Sequence, residues 1–356
     1  MKLNNFSAGP SKIPIEVLST IAEDINNYKD LGYSVLEISH RSKVFEDIVN
    51  TAKKKLVDIL KIPDDYDIFF IQGGATFQNT FIPANKNSLS SNVSFLISGT
   101  WGRKTHEDFE TYFGKKISNF TLNDIGFQNI EKYTNNLDEE YLYLTSNETI
   151  EGIQIRDFDL FNNKKLIIDM SSDICSYEFD WTNLSYVYAG AQKNLGIPGV
   201  TICIVKKGFV EESDQTSYLN INNHILKNSS FNTPPTFSIY VLLKILDWVL
   251  DAGGINEIQK NNFKRASRIY DFLDLHNEHF NLVAPIDLRS YSNIVFDFKD
   301  SSKTEKFLND CIARGFIGLN GHRSVGGVRV SNYNSITDEM VNDFLNTLND
   351  FISLDK

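Results

Sequence analysis

The chain is poor in cysteine, in positive charge and in long apolar runs, and each shortage closes off a class of function. Its three cysteines, Cys175, Cys203 and Cys311, stand far apart. They show neither the spacing of a disulfide framework nor that of a zinc site, which fits a reducing compartment. Acidic residues outnumber basic ones, leaving a formal net charge of -11. A field of that sign gives no general attraction to nucleic acid or to an anionic membrane, although a small cationic pocket can still exist within it. The most apolar stretch, residues 240–250, is interrupted by Lys244 and Asp247 and is too short to span a bilayer. Residues 1–10 lack the apolar segment of a secretory leader. A cytoplasmic protein with no membrane and no nucleic-acid partner is expected. No internal repeat and no long low-complexity tract is present.

What remains is ordinary globular material: 41% hydrophobic and 23% charged residues in a 356-residue chain, enough for one large domain and a smaller one. Short runs rich in Val, Ile, Phe and Tyr at 67–71, 93–97, 141–145, 165–169, 185–188 and 200–205 read as strands. Helix-like segments such as 101–113 lie between several of them. This alternation predicts an α/β domain around a mostly parallel sheet, with ligands gathered at the carboxyl ends of the strands. An amphipathic helix from about 235 to 251 stops at Gly253-Gly254. Beyond it, helices at 256–276, 302–314 and 337–352 and strands at 292–298 and 326–331 suggest a smaller α+β unit, with Thr337 capping the last helix. The expected division is a large domain at 15–255, with residues 1–14 and 256–356 forming the small one.

The segment Tyr188-Ala-Gly-Ala-Gln-Lys-Asn-Leu195 places Lys193 in the least charged neighbourhood of the chain. Desolvation lowers the proton affinity of an amine, and a neutral amine attacks aldehydes. A surface lysine on a turn is the plainer alternative. Other segments offer what an aldehyde cofactor needs. Ile71-Gln-Gly-Gly-Ala-Thr-Phe-Gln78 is a glycine turn opening a helix, suited to phosphate, or else a turn in which Thr76 is simply a helix cap. Trp101 follows a strand end, where it either fills core or stacks on a flat ring. Asp169 ends an apolar strand 24 residues before Lys193 and could hold a pyridine nitrogen protonated, or cap its own loop. Asn232 and Thr233 precede a proline-started helix. His40-Arg41, His322-Arg323 and Arg329 supply forked cations in polar or glycine-rich turns, suited to carboxylate or phosphate. Taken singly, each pair is also explained as solvated loop charge.

Six segments in order resemble the phosphoserine aminotransferases, pyridoxal-phosphate enzymes of the aspartate-aminotransferase-like fold. They are Phe6-Ser-Ala-Gly-Pro10, Ile38-Ser-His-Arg-Ser-Lys43, Ser146-Asn-Glu-Thr-Ile-Glu-Gly152, Ala189-Gly-Ala-Gln-Lys-Asn194, Asn232-Thr-Pro-Pro-Thr236 and Gly321-His-Arg-Ser-Val-Gly-Gly327. The resemblance implies a seven-stranded-type sheet in the large domain. It also implies a homodimer with shared active sites, and transfer of an amino group from L-glutamate to 3-phosphohydroxypyruvate. A side role on a phosphorylated hydroxythreonine in vitamin B6 synthesis would be compatible with it. Under it, Lys193 would bond to the aldehyde of pyridoxal 5'-phosphate and carry the α-proton, and Asp169 would pair with the ring nitrogen. Trp101 would stack on the ring, and Thr149 would sit near its phenolic oxygen. Ala75, Thr76 and Gln192 would hold the phosphate, joined by Asn232 and Thr233 of the neighbouring subunit. Arg329 would take the substrate α-carboxylate, while His40, Arg41, His322 and Arg323 would receive the distal phosphate or the glutamate side chain.

Three positions depart from the family pattern: Tyr177-Glu178 in place of Arg-Pro, Ile197-Pro198 in place of Pro-Ala, and Ala8 in place of a serine. Rival readings are a small-amino-acid transaminase such as alanine–glyoxylate, a cysteine desulfurase, and a catalytically silent binding protein of the same fold.

Overall fold

The computed structural model describes residues 3–211 and 215–353. Its strands are β1 (Asn4–Asn5), β2 (Tyr66–Ile71), β3 (Val93–Ile97), β4 (Ser118–Thr121), β5 (Tyr141–Thr145), β6 (Asn147–Glu148), β7 (Ile153–Gln154), β8 (Lys165–Asp169), β9 (Leu184–Gly190), β10 (Thr201–Lys206), β11 (Phe280–Leu282), β12 (Asn293–Phe298), β13 (Phe316–Ile317) and β14 (Val328–Ser331). The helices are α1 (Ile15–Asn26), α2 (Lys43–Leu60), α3 (Gly74–Asn85), α4 (Leu89–Asn92), α5 (Thr100–Phe113), α6 (Leu122–Ile125), α7 (Ile130–Thr134), α8 (Ile221–Leu226), α9 (Thr236–Asp251), α10 (Gly254–Leu275), α11 (Ser302–Ala313) and α12 (Asp338–Ser353).

Seven strands form the main sheet in the order β2-β10-β9-β8-β5-β3-β4. All pairings are parallel except the two made by β10, which runs against both β2 and β9. The sheet is buried on both faces, and the alternation of its side chains divides the apolar residues between two cores. In β9, Val187 and Ala189 enter one core while Tyr186 and Tyr188 enter the other. In β8, Leu166 and Ile168 take the first side and Ile167 the second. Helices α1, α2 and α9 cover the first face. The apolar stripe of α2, running from Phe45 through Ile48, Ala52, Leu56 and Ile59, lies against α9. Burying each of its Phe, Ile and Leu side chains contributes about 1.5–3 kcal/mol.

A third core is built from the second half of α10, the sheet β11-β12-β14, α11 and α12, together with Phe6 from the N-terminal segment. Helix α10 serves both parts of the molecule: Ile255 and Ile258 pack with the first core, and Ala266, Ile269 and Leu273 pack with the third. Gly253 and Gly254 make the corner between α9 and α10, with φ of 97° and 77°. Among the described residues, no helix is long and apolar enough to cross a membrane.

Candidate active site

At the carboxyl ends of the central strands, Thr145 stands opposite Asp169, and Asp169 opposite Tyr188. A cavity of about 440 Å³ opens at this edge. Such an edge is where parallel sheets collect ligands, because the loops diverge there. Lys193 enters the cavity from the turn after β9. Asn194 fixes that turn by donating to the carbonyls of Ser172 (3.3 Å) and Ile174 (3.2 Å). From the other side, Ser11 donates its N–H to the Gln192 carbonyl (3.0 Å) and its hydroxyl to the Lys193 carbonyl. Gly9 lies alongside the lysine stem: a side-chain carbon there would sit 3.5 Å from Lys193 Cγ.

Asp169 ends β8, and its Oδ1 accepts from the Ser171 N–H at 2.8 Å. Burial raises its carboxyl above the usual range, opposed by the Ser171 hydrogen bonds, by Lys193 and by Tyr188. Burial also lowers Lys193 below the usual lysine value. Asp169, Asp173 and Glu148 act in the opposite sense, and Arg329 adds to the lowering. Part of the lysine side chain faces the cavity and the rest is enclosed by protein, so the amine is both reachable and less basic than an exposed lysine.

The cavity wall beside Asp169 is the start of α3. Gly73 precedes it with φ of 111°, and any side-chain carbon there would meet Phe77 Cβ at 2.6 Å, so only glycine makes this turn. No side chain caps α3, and Gly74, Ala75 and Thr76 line the cavity. The first N–H groups of a helix have no partner within it, and here they stand where an anion would be held.

Trp101, at the start of α5, donates its indole N–H to Thr149 Oγ1 at 3.0 Å. Arg329 reaches in from β14 and donates from Nη1 to the Thr149 carbonyl at 3.3 Å, while its buried Nε has no partner. Burial lowers the guanidinium's affinity for its proton. An incompletely paired buried arginine is costly unless a ligand completes it.

Nine of the residues singled out from the sequence therefore share one cavity: Ala75, Thr76, Trp101, Thr149, Asp169, Gln192, Lys193, His322 and Arg329. Five do not line it within the single chain. His40 and Arg41 precede α2, Asn232 and Thr233 precede α9, and the exposed Arg323 sits beside His322 in the turn before β14. The sequence reading assigned no role to Asn79, Lys104, Thr105, Asn147, Ser171 and Ser172, all of which line the cavity. Nor had it given a role to Glu148, a fully buried carboxyl group accepting from the N–H groups of Trp101 (2.9 Å) and Gly102 (2.8 Å). Burial raises Glu148 to about 8, with the two N–H groups opposing and Glu151 and Asp169 adding to the rise.

All three thiols are buried and raised by that burial to about 12, so none can serve as the exposed nucleophile a desulfurase needs. Among the described residues, no cluster of His, Cys, Asp and Glu could hold a metal ion.

The family model for class-V aminotransferases matches residues 3–344. The chain belongs to the class-V aminotransferases. Within that family it is similar to the phosphoserine aminotransferase of Lysinibacillus sphaericus, 39% identical over 349 residues and 96% of each chain. The structure of phosphoserine aminotransferase from Bacillus circulans subsp. alkalophilus superposes with a TM-score of 0.94 at 35% identity, covering 100% of this chain and 99% of that one. A phosphoserine aminotransferase from Trichomonas vaginalis, solved with pyridoxal phosphate bound, gives 0.90 at 30% identity over 98% and 100%. This aminotransferase thus shares its whole length, and not only its lysine turn, with proteins of that name.

Proposed function

We propose that the chain is a pyridoxal-phosphate-dependent phosphoserine transaminase, moving the amino group of L-glutamate to 3-phosphohydroxypyruvate to give 2-oxoglutarate and O-phospho-L-serine. One observation carries this reading. A desolvated lysine, a strand-end carboxylate, an uncapped helix N-terminus and an incompletely paired arginine meet in one cavity of about 440 Å³. That donor set fits the cofactor: an amine for its aldehyde, a carboxylate for its ring nitrogen, and N–H groups for its phosphate. Pyridoxal phosphate, when bound, supplies a carbonyl that joins amines covalently and a ring that accepts the electron pair left when an α-proton departs.

The protein's part is positioning and proton transfer. Lys193 Nζ, its basicity lowered by burial, would take the α-proton of the amino acid and deliver it across the nitrogen to the carbon that was the cofactor's aldehyde. Asp169 would hold the ring nitrogen protonated, Trp101 would lie against the ring, and Thr149 would stand near its phenolic oxygen. Ala75, Thr76 and Gln192 hold the cofactor phosphate, and Arg329 takes the substrate α-carboxylate in a forked pair. His322 lines the cavity and, with Arg323, faces the distal phosphate. His40, Arg41, Asn232 and Thr233 complete the site from a second copy of the chain, which makes the homodimer the active unit. In this reading residues 15–255 form the cofactor domain, and 1–14 with 256–356 the small one, in keeping with the separate core that includes Phe6. A reducing, cytoplasmic setting accords with three buried free thiols.

The purified protein should carry the visible absorbance of bound pyridoxal phosphate. Glutamate and phosphoserine should each convert that band to the near-ultraviolet form, with serine and alanine at least about 100-fold slower. A colourless protein, or equal rates for phosphoserine and serine, would overturn the reading. The second result would point instead to a small-amino-acid transaminase.

A further inference from the structure

The turn at residues 148–151 touches the start of α5 in three ways. Glu148, with no exposed surface, accepts the N–H of Trp101 on Oε2 and that of Gly102 on Oε1, at 2.9 and 2.8 Å. Glu151 Oε1 accepts both the N–H (2.9 Å) and the hydroxyl (2.5 Å) of Thr100. Between them, Thr149 Oγ1 accepts the Trp101 indole at 3.0 Å. Helix α5 has no cap of its own, since Gly99 at its N-cap offers no side chain. The N–H groups of its first three residues are all taken by carboxylates that follow some 50 positions later in the chain. The carboxylates come so close that a side-chain carbon on Gly99 would lie 2.7 Å from Glu148 Cδ and closer still to Glu151 Oε2. The same turn is also tied to the substrate side, because Arg329 donates to the Thr149 carbonyl at 3.3 Å.

We propose that Glu148 is a positioning residue: by holding the first turn of α5 it sets the plane of Trp101 and, through Thr149, the reach of Arg329. One turn then aligns the ring platform and the carboxylate clamp together. This rests on the transaminase reading above for what Trp101 and Arg329 bind. An ordinary serine or aspartate cap would have satisfied the helix alone. The arrangement seen here makes the helix end, the indole and the arginine depend on the same short segment.

The test uses holoenzyme. Glu148→Gln preserves size but turns an amide N–H₂ towards one of two backbone donors. It should reduce the visible circular dichroism of bound pyridoxal phosphate by half or more and raise KM for glutamate at least fivefold. Thr149→Val, which removes the indole's acceptor but keeps the carbonyl that Arg329 uses, should reduce the dichroism likewise. The double variant should lose little beyond the worse single, because both changes break one linkage. Additive losses, or a lowered melting temperature with dichroism and KM unmoved, would overturn the proposal and leave Glu148 a merely structural cap. Gly99→Ala, which pushes on the same carboxylates from the other side, should reproduce the loss of dichroism. Full retention in that variant would also count against the proposal. Failure of the underlying function is distinguishable, since the unsubstituted protein would then show no visible band at all.

Discussion

Asp173 takes no part in the proposed transfer, yet it lies fully buried beneath the Asp169 loop. Three neutral donors meet it: Ser146 Oγ at 2.5 Å, Gln154 Nε2 at 3.1 Å and Tyr177 Oη at 3.1 Å. Burial outweighs them and moves its carboxyl from 3.8 up to about 6. Between those values the folded protein binds more protons than the unfolded chain, so stability falls as pH rises from about 4 to 6, and the loss is complete above that window. About two pH units correspond to about 3 kcal/mol. Asp173→Asn stays neutral throughout, so its stability relative to the parent should improve by about that amount between pH 4 and pH 7. Urea midpoints at the two values check this, and a gap that does not change with pH would refute it. The same residues show what a sequence discloses at this scale. Lys193 and Asp169 were legible because their apolar neighbours are local in the chain. Tyr177 read only as a departure from the family's Arg-Pro, because the carboxylate that receives its hydroxyl becomes visible only in the fold. Glu148 was given no role for a similar reason: the helix end it serves lies about 50 residues earlier, and spacing says nothing of such a partner.

Elements were most legible where both sequence faces are apolar. The strands read at 93–97, 141–145 and 165–169 coincide with β3, β5 and β8, since a buried strand must carry Val, Ile, Leu or Tyr at successive positions. Strand β4, Ser-Asn-Phe-Thr at the sheet edge, was not read, because with one side open it needs a single buried residue, Phe120. Helix α10 begins at Gly254 rather than at the expected 256. The two glycines end one helix and start the next, so the stop signal is also a corner. The reversed direction of β10 was available from loop length, since residues 191–200 are too few for the crossover that parallel neighbours require. Thr337 illustrates a cap that was read from sequence: its Oγ1 accepts the Met340 N–H at 3.3 Å ahead of α12. Helix α12 buries Met340, Val341, Phe344 and Leu348 in the third core, so its anchoring affects that whole core. Thr337→Ala should destabilise the protein by about 1 kcal/mol, seen as a lowered thermal midpoint, with Thr337→Ser close to neutral. Equal losses in the two variants would mean that the threonine methyl, and not the hydroxyl, is what matters.

On the scale of the whole molecule, five of the residues expected at the site stand outside the cavity of the single chain, and four of them are not scattered. His40 and Arg41 enter α2, Asn232 and Thr233 enter α9, and those two helices pack against each other on one side of the sheet. Helix α1 and the loop after it lie on that side too, where they expose Ile15, Leu18, Ile25, Leu31 and Leu36 to solvent, Ile15 to 65%. An apolar face of this kind beside unused polar residues is what an isologous dimer needs, since each copy can cover the other's apolar surface and lend its loops to the other's cavity. The arrangement makes a prediction that a self-contained site would not meet. Lys193→Ala should be inactive because its own cavity lacks the amine. His40→Ala/Arg41→Ala should be nearly inactive because it fails its partner's cavity. Unfolded together and refolded as mixed dimers, the two should regain activity, because one cavity in each heterodimer then holds the intact lysine and the intact pair. Random pairing of equal amounts makes half the dimers mixed, each with one working site, which sets the recovery at about a quarter of the parental rate. If the mixture stays as inactive as its components, the pair serves its own chain or none, and the shared-site dimer must be abandoned even if the transaminase activity stands.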